Sequence, residues 1–505
     1  MTEKFHRESG ILLHITSLPG NYGIGEIGPY AFQFIDDLAE MGQKNWQILP
    51  MNPPDNFNCP YSATSAFANS HLLISLDFLV RDGYLDHYDL TSPPGFCNDR
   101  VRFSSVIEWR FSLLKKAANN FQIRASSKRL AKYNTFCNNN KKWLKPFALF
   151  SVIQNIHNGA DWIDWGTSYR ACMQDKLKDV QVNYSKEFEE VKVLQYLFHD
   201  QWMKLKSYAN SQQVQIIGDI PIYVSFNSAD VWWNKEMFKL NSDGRMRVQS
   251  GCPPDFFIET GQIWGHPIYD WAYHKQSDFS WWVDRITHLF ELVDIIRIDH
   301  FNGFAKYWEI PAKDSNGLKG KWVVGPGEFF FNSIFKKIGK RPIMAEDLGE
   351  ASEDAAVLRA AFGIPGMKIL QMSFSNGEPF QNLDPNNVVY TGTHDNDTTV
   401  GWFQSQSKGE NAQTKIDLTQ GLENAKKALN IKGQSVNWKM IEYALNTNAN
   451  TAIIPMQDVL GLDSTARMNI PGTVGANWGW RMAPGLLTNK IKQRLFKLTK
   501  KSKRL

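Results

Sequence analysis

Eight short apolar runs most restrict how this 505-residue chain can fold. Most are too short for helices, and they are rich in Ile, Val and other apolar residues, as are parallel strands buried on both faces. The runs occupy residues 11–16, 45–50, 214–220, 293–299, 341–347, 367–374, 387–395 and 450–458. We therefore expect eight strands, buried in one parallel sheet.

Helix-like stretches lie between many of these runs. Residues 31–42 carry apolar side chains at helical spacing and end on a glycine, and residues 278–293 and 352–366 are similar. The alternation of strands and helices predicts an α/β fold, a (β/α)8 TIM barrel. A doubly wound sheet shows the same alternation, so periodicity alone leaves both architectures open.

The uneven spacing of the strands predicts three parts of the chain. Residues 1–55 supply the first two barrel strands. The next segment, residues 56–213, is far longer than a loop and carries helix-like patterns, so we expect a mainly helical insertion. Residues 214–505 complete the barrel, with an aromatic-rich loop insertion around residues 221–277.

The stretch GIGEIGPY, residues 23–30, fits the G-x-G-x-x-G pattern of dinucleotide-binding proteins. That fingerprint needs its last glycine inside a helix whose amides face the pyrophosphate. Pro29 follows the last glycine, and proline suits only the first turn of a helix, so we expect a helix beginning at or just after Gly28. We interpret the stretch as a loop at the mouth of a barrel and predict no cofactor.

Charge and cysteine usage argue against several classes of protein. The chain has 56 basic and 51 acidic residues, with one basic cluster at residues 490–505. We interpret this cluster as a solvated terminal helix rather than a contact with nucleic acid or a membrane, and we predict neither partner. Five scattered cysteines without a C-x-x-C motif indicate a reducing cytoplasm. The first residues do not resemble a secretory signal, and no apolar run approaches the ~20 residues of a membrane span.

Acidic residues follow four of the predicted strands, namely Asp219, Asp299, Glu346 and Asp395. Arg297 and Asp299 share one face of their strand, so we expect the arginine to lower the pKa of Asp299 and keep it ionised. Glu346 follows an apolar strand, where desolvation is expected to raise its pKa. Each acid taken alone fits a structural ion pair, but four at one rim of a barrel favour catalysis.

Two carboxylates on either side of a glycosidic bond carry out glycoside chemistry. In a retaining arrangement, Asp299 attacks the anomeric carbon while Glu346 protonates the leaving oxygen. Asp395 then holds sugar hydroxyls and favours the positively charged transition state. Aromatic residues suit a sugar substrate, because the apolar faces of sugars pack on rings. A metal site is the competing use of clustered acids, and we predict none because the sequence has no H-E-x-x-H motif or EF-hand loop.

Seven motifs, taken in chain order, resemble those of one enzyme family. They are GILLHITSLPGNYGIGEIG, GDIPIYV, PPDFFIETGQIWGHPIYDW, RIDHFNGF, AEDLG, THDNDT and NIPGTVGANWGWR. From Gly10 to Arg481 the chain resembles the 4-α-glucanotransferases, the amylomaltases or disproportionating enzymes of glycoside hydrolase family 77. The resemblance implies an α-amylase-type barrel with inserted subdomains and no separate C-terminal β-domain. It also implies transfer of α-1,4-glucan segments from a donor maltooligosaccharide to an acceptor glucose or glucan.

The resemblance further implies roles for individual residues. Asp299 corresponds to the nucleophile, Glu346 to the acid/base and Asp395 to the stabiliser of the transition state. The positions expected to touch sugar or support these acids are Asp219, Arg297, His300, Asp347, His394 and Asn469. The expected aromatic platforms are Tyr61, Phe256 and Trp264. Two departures from the family pattern are Asn302, where arginine is frequent, and the motif CPYSATSAFANSH; both bear on acceptor preference and chain length rather than on the reaction.

Transfer and hydrolysis share the covalent intermediate and differ in what attacks it next. The aromatic loop at residues 251–268 is predicted to hold an acceptor sugar and limit attack by water. The closest alternative is an α-amylase-type hydrolase. A non-catalytic glycan-binding protein would keep the aromatic residues but need not keep the three acids. A nicotinamide-dependent oxidoreductase, which the glycine motif first suggests, is the third alternative.

Overall fold

Eight parallel strands close into a barrel in the computed structural model, which describes residues 5–254, 259–349, 351–375, 383–408, 415–431 and 435–505. Numbered along the chain together with four further strands given below, they are β1 (Glu8–Leu12), β2 (Asn45–Gln47), β3 (Gln215–Pro221), β6 (Ile295–Asp299), β9 (Ile343–Ala345), β10 (Gly366–Ile369), β11 (Asn387–Tyr390) and β12 (Thr451–Pro455). The pairing of β12 with β1 closes the barrel. The predicted barrel is therefore confirmed, and the doubly wound alternative is wrong.

Each of the eight strands overlaps one of the eight apolar runs, and two of the runs continue from a strand into an α-helix. Residues 367–374 form a strand only to Ile369 and continue as α15 (Leu370–Ser375). Residues 450–458 form a strand to Pro455 and continue as α19 (Met456–Leu460). A buried apolar run fits a strand or a helix equally well, so its composition does not mark the point of change.

Helices follow the barrel strands and surround them. They are α1 (Pro29–Glu40), α9 (Ala229–Trp233), α10 (Trp271–Gln276), α11 (Ser280–Leu292), α12 (Asn302–Ala305), α13 (Gly327–Ile338), α14 (Ser352–Phe362), α16 (Thr399–Lys408), α17 (Lys415–Leu429), α18 (Val436–Asn446) and α20 (Asn489–Lys501). Helix α1 begins at Pro29 with Gly28 as its N-cap, which confirms the predicted start. Gly25 lies against the chain itself, because a Cβ there would meet the Ile15 carbonyl oxygen at 2.0 Å.

The chain between β2 and β3 folds into helices packed beside the barrel. They are α2 (Leu76–Arg81), α3 (Phe103–Arg124), α4 (Ser127–Asn139), α5 (Lys141–Ile156), α6 (Thr167–Arg170), α7 (Gln174–Asn183) and α8 (Ser185–Ser211). On α8, the buried Gln195 accepts a hydrogen bond from the Asn69 amide and donates one to its carbonyl. Gln201 does the same with Ser75. These reciprocal bonds tie α8 to the segment that leaves β2.

A second sheet lies outside the barrel. Within the described residues it has four antiparallel strands in the order β5-β4-β7-β8, which are β4 (Val248–Cys252), β5 (Gln262–Pro267), β7 (Lys306–Pro311) and β8 (Lys321–Val324). Two of these strands lie in the region predicted as an aromatic-rich loop, so that prediction was wrong for β4 and β5. Five of the six residues of β5 are only partly buried, and such a strand lacks the alternation of apolar and polar residues that identifies strands in a sequence.

The basic C-terminal segment forms the predicted terminal helix, α20, with most of its positions exposed, but part of its charge is buried. Arg504 is fully buried and donates hydrogen bonds to backbone carbonyls of β1, of the last turn of α18 and of the loop that follows α18. Lys492 on α20 is 8% exposed and pairs with Asp37 and Glu40 of α1. Part of the basic cluster therefore fastens α20 to the barrel. None of the helices in the described part of the chain combines the length and apolar character needed to cross a bilayer.

Replacing Arg504 with alanine is expected to lower the free energy of unfolding by about 3 kcal/mol, because several buried carbonyls lose their donor at once. Denaturant unfolding of the full chain measures this change. The matched control is Lys497→Ala, on the exposed face of the preceding helix α20, which should unfold like the wild type. Equal stability of the two variants would contradict the buried role of Arg504.

Candidate active site

The predicted site residues converge on one cleft at the carboxyl ends of the barrel strands. The cleft has a volume of about 530 Å³. Its lining includes eight of the predicted residues, namely Tyr61, Trp264, Asp299, His300, Glu346, His394, Asp395 and Asn469. Asp219 and Arg297 lie beneath them and contact them. Phe256, also predicted as a platform, lies outside the described residues, as does Phe257 beside it.

Arg297 connects the acids beneath the cleft. Its side chain is 2% exposed, and one guanidinium nitrogen donates to Asp219 at 2.5 Å and to Asp299 at 3.2 Å. The other terminal nitrogen donates to Glu346 at 2.5 Å. In the barrel, Asp219 on β3 pairs in register with Arg297 on β6, so neighbouring strands present both to the same side. One buried cation thus compensates three carboxylates that would otherwise repel one another.

The carboxyl groups of Asp299 and Glu346 are hydrogen-bonded to each other, and their protonation differs from the sequence expectation. Burial and the charge of Glu346 raise the pKa of Asp299 well above its ordinary value, although Arg297 opposes this. Burial would raise the pKa of Glu346 too, but Arg297, Asp299 and the His300 amide lower it. The shared proton therefore rests on Asp299 in the unliganded protein. The expectation was wrong because the guanidinium approaches Glu346 more closely than Asp299.

Asp395 lines the same cleft and is held by its neighbours. Asn469 donates to one carboxylate oxygen at 2.6 Å, and the Nε2 atom of His394 lies 3.3 Å from the other. Burial would raise the pKa of Asp395, but His394 and Asn469 lower it to about 2. Its side chain is still 42% exposed, so an ionised carboxylate faces the cleft.

The ring of Tyr61 spans two parts of the site. It stacks on the His394 ring with centroids 4.8 Å apart and planes 15° apart. Its hydroxyl donates to Asp219 at 2.8 Å. Tyr61 therefore connects the Arg297 cluster with the His394–Asp395 pair, and its position is fixed from both sides.

His300 follows Asp299 directly and adopts a left-handed conformation, with φ of 48°. This strained backbone turns the chain so that the His300 amide donates to Glu346 at 3.1 Å. The edge of the His300 ring packs against Trp264, with centroids 4.8 Å apart. The turn after β6 therefore helps to hold both Glu346 and the Trp264 platform.

Asp347, also predicted to touch sugar or support the acids, does not line the cleft. Its carboxylate accepts hydrogen bonds from Arg359 on α14 at 2.6 Å and from the Met367 amide at 2.9 Å. Asn302 is buried as well, and its side chain donates to the Leu348 carbonyl at 2.8 Å. These two residues hold the segment after β9, on which Glu346 lies.

Several lining residues were not singled out from the sequence. Trp478 lines the cleft with its ring centroid 5.8 Å from Tyr61, and the loop 471–477 completes that side. Tyr223 and His266 line the other side, beside Trp264. Trp478 lies within the motif NIPGTVGANWGWR, so the motif was a signal for it. The other two have apolar or aromatic neighbours in sequence that resemble ordinary core.

Comparison with known proteins gives a consistent result. A family model described as 4-alpha-glucanotransferase matches residues 13–488. The chain is 41% identical over 500 residues to a 4-alpha-glucanotransferase of Synechocystis sp., covering 98% of this chain and 97% of the relative. It is 39% identical over 509 residues to that of Thermus thermophilus, covering 99% of each. The chain belongs to the 4-alpha-glucanotransferase family.

Solved structures agree with this membership. The amylomaltase of Streptococcus agalactiae, determined in complex with acarbose, matches with a TM-score of 0.93 and 36% identity over 99% of both chains. The amylomaltase of Corynebacterium glutamicum shares the fold, with a TM-score of 0.75. The chain is thus an enzyme with 4-alpha-glucanotransferase activity, as predicted. The hydrolase, glycan-binding and oxidoreductase alternatives are not favoured.

Replacing Asp299 with asparagine is expected to stabilise this 4-alpha-glucanotransferase at neutral pH, by about 1 kcal/mol. The folded-state pKa of Asp299 is raised. The contribution of the wild-type Asp299 to the stability of the fold is therefore fully present below its unfolded pKa of about 3.9, and it is lost as the pH rises through the folded-state pKa. The gain from asparagine should therefore grow with pH, which thermal unfolding between pH 4 and pH 8 measures.

The matched control is Asp395→Asn, because the folded-state pKa of Asp395 is lowered to about 2. A carboxylate of this kind contributes stability above its unfolded pKa and loses it as pH falls. The control should therefore be less stable than the wild type at neutral pH. If both variants shift stability in the same direction, the assigned protonation of Asp299 is wrong.

Proposed function

We propose that the reaction is a retaining double displacement carried out by Asp299, Glu346 and Asp395. In the first step Asp299 forms a bond to the anomeric carbon while the glycosidic bond breaks and Glu346 gives its proton to the leaving oxygen. In the second step a hydroxyl oxygen of the acceptor sugar attacks the same carbon, the bond between that carbon and Asp299 breaks to release the carboxylate, and the hydroxyl proton passes to Glu346. The supporting observation is that Asp299 and Glu346 both line the cleft and both accept hydrogen bonds from the Arg297 guanidinium beneath it.

This reaction requires the shared proton to change sides when a glucan binds. The unliganded site holds the proton on Asp299, whereas the first step needs Asp299 ionised and Glu346 protonated. A sugar lying between the two carboxyls breaks their hydrogen bond and offers Glu346 an oxygen to protonate. Positive charge developing at the anomeric carbon favours the ionised form of Asp299. Substrate binding and proton relocation are therefore coupled.

Asp395 is suited to bind hydroxyls of the reacting sugar. Its lowered pKa keeps it ionised at every working pH, and His394 and Asn469 fix its orientation. A fixed carboxylate strengthens its hydrogen bonds to those hydroxyls as the ring becomes positively charged. Tyr61 and His394, stacked beside it, support the same sugar.

The donors we propose are maltooligosaccharides and α-1,4-glucans, with glucose or a glucan chain as acceptor. Trp264, Tyr61 and Trp478 lie around the cleft and offer flat faces to an acceptor. A sugar held there occupies the path of water to the intermediate, which favours transfer over hydrolysis. The S. agalactiae amylomaltase, whose structure contains acarbose, supports an oligosaccharide ligand. We propose no metal, nucleic-acid or membrane partner, and no group of three or more His, Cys, Asp and Glu side chains in the described chain is arranged to hold a metal ion.

A cytoplasmic location is part of this proposal. No disulfide joins any of the five cysteines, Cys59, Cys97, Cys137, Cys172 and Cys252, all of which lie in the described chain, and this suits a reducing compartment. Burial also raises the pKa of Cys59, beside the cleft, to about 12, which keeps that thiol protonated and unreactive.

Incubation with maltotriose is expected to yield glucose together with a ladder of longer oligosaccharides, because each covalent intermediate is passed to another sugar. Chromatography of the products at early times checks this. Reducing-end titration is the companion measurement, and it should stay constant during transfer. Glucose and maltose alone, with one new reducing end for each bond cut, would indicate a hydrolase.

Glu346→Gln is expected to lower kcat on maltotriose by about a thousandfold, because the leaving oxygen loses its proton donor. A maltosyl fluoride donor, whose fluoride leaves without a proton, should recover much of the first step. Glu328→Gln, on an exposed turn of α13, serves as the matched control and should keep full activity. Equal loss on both donors would show that Glu346 acts through structure rather than proton transfer.

A further inference from the structure

A second large cavity lies away from the active site. It has a volume of about 380 Å³ and opens between helices α4 and α5, helix α9 and barrel helix α11. We call it the flank cavity, defined by Phe67, Trp143, Trp233, Trp281 and Thr287 among its lining residues. It shares no lining residue with the active-site cleft within the described chain. Its volume falls in the range of roughly 300–1,000 Å³ that is typical of small-molecule sites.

Aromatic rings form the walls of the flank cavity. Phe67 and Trp143 are nearly parallel, with centroids 6.5 Å apart and planes 12° apart. Trp281 meets Phe67 edge-on at 5.8 Å, and Trp233 lies at the α9 side. Trp143 and Trp233 are partly exposed, whereas Phe67 and Trp281 are buried. Flat rings set at different angles suit the apolar faces of sugar rings better than the rounded surface of an aliphatic ligand.

Two indole groups in these walls have free donors. Trp143 donates its N–H to Asn140 at 2.9 Å. For Trp233 and Trp281, by contrast, no acceptor is found among the residues that the structure describes, although Trp281 is only 7% exposed. A largely buried tryptophan usually finds a hydrogen-bond partner, so these donors suit a ligand rich in hydroxyl oxygens.

The charges around the flank cavity select against anions. Asp230, Asp284 and Glu291 line it, and the only positive side chain in its described lining is Lys142, which pairs with Asp284 at 2.8 Å. Burial lowers the pKa of His288 to about 4, so this lining residue is neutral at pH 7. Phosphates and nucleotides would meet excess negative charge, whereas carboxylates bind the hydroxyls of a neutral sugar.

We propose that the flank cavity binds a segment of neutral α-1,4-glucan and anchors long glucans to the enzyme outside the reacting site. The ligand class rests on the proposed function, whereas the binding surface is independent of the active-site cleft. The chain between Tyr61, which lines the cleft, and Phe67, which lines the flank cavity, connects the two directly. A long glucan held at the cavity keeps its remaining length at high local concentration near the cleft.

Calorimetric titration of the full-length Glu346→Gln variant with maltoheptaose tests the binding site. Two molecules are expected per chain. Two variants should each bind only one molecule of maltoheptaose per chain. Thr287→Trp fills the cavity from an exposed position, and Trp233→Ala removes part of its wall. Trp322→Ala, on β8, removes a half-buried tryptophan elsewhere and should leave two. One molecule on the parent, or two on both cavity variants that fold as judged by circular dichroism, would overturn the proposal.

Kinetics in the otherwise wild-type enzyme test the anchoring. Thr287→Trp is expected to raise KM for long amylose about tenfold, equivalent to the loss of ~1.4 kcal/mol, with kcat and KM for maltotriose unchanged. An equal change for both donors would place the effect in the active site and overturn the anchoring. If maltotriose gives no product ladder while the binding count still falls from two to one, the proposed function fails and the second site stands.

Discussion

The site depends on one buried guanidinium that is shared among three carboxylates. Arg297 contacts Asp219, Asp299 and Glu346 while almost excluded from solvent. Three acids so close together repel one another in a low-dielectric environment, and Arg297 offsets only part of that repulsion, because the pKa of Asp299 stays raised. The barrel provides that arrangement through strand register, because β3 and β6 present Asp219 and Arg297 side by side and β9 ends just before Glu346. The catalytic geometry is thus a consequence of how parallel strands align.

This arrangement also gives Asp299 and Glu346 a different protonation in the unliganded protein from the one that the proposed reaction needs. Arg297 and the His300 amide stabilise the charge on Glu346, which leaves Asp299 with the proton. In the proposed mechanism the proton must move from Asp299 to Glu346 before Asp299 can attack an anomeric carbon. Binding of a sugar between the two acids is the proposed trigger for that transfer. Aromatic walls and an ionised Asp395 then act on a substrate that is already correctly placed.

The sequence predicts the barrel strands because each buried strand leaves an apolar run, although the run does not show where a strand changes into a helix. It predicts the acids because strand ends converge at one rim. The sequence does not predict the features that depend on a contact between residues far apart in the chain. Alternation puts Arg297 and Asp299 on one face but does not tell which acid the guanidinium approaches. A run of lysines and arginines resembles a solvated helix, although Arg504 has a buried set of carbonyls. The half-exposed strand β5 has no alternating pattern of apolar and polar residues. The orientation of the Asp347 side chain depends on its hydrogen bond from Arg359, which lies in the later helix α14.

The closure of the barrel has a consequence for how the protein is made. Strand β1 lies between β2 and β12, and Glu8 pairs in register with Thr451. During synthesis, the edge of β1 that pairs with β12 therefore remains unpaired until several hundred more residues have been made. Such an edge invites pairing with other chains, and long-range closure is slow. Yield in a cell would then depend on chaperone capacity and on translation speed as much as on the stability of the finished enzyme.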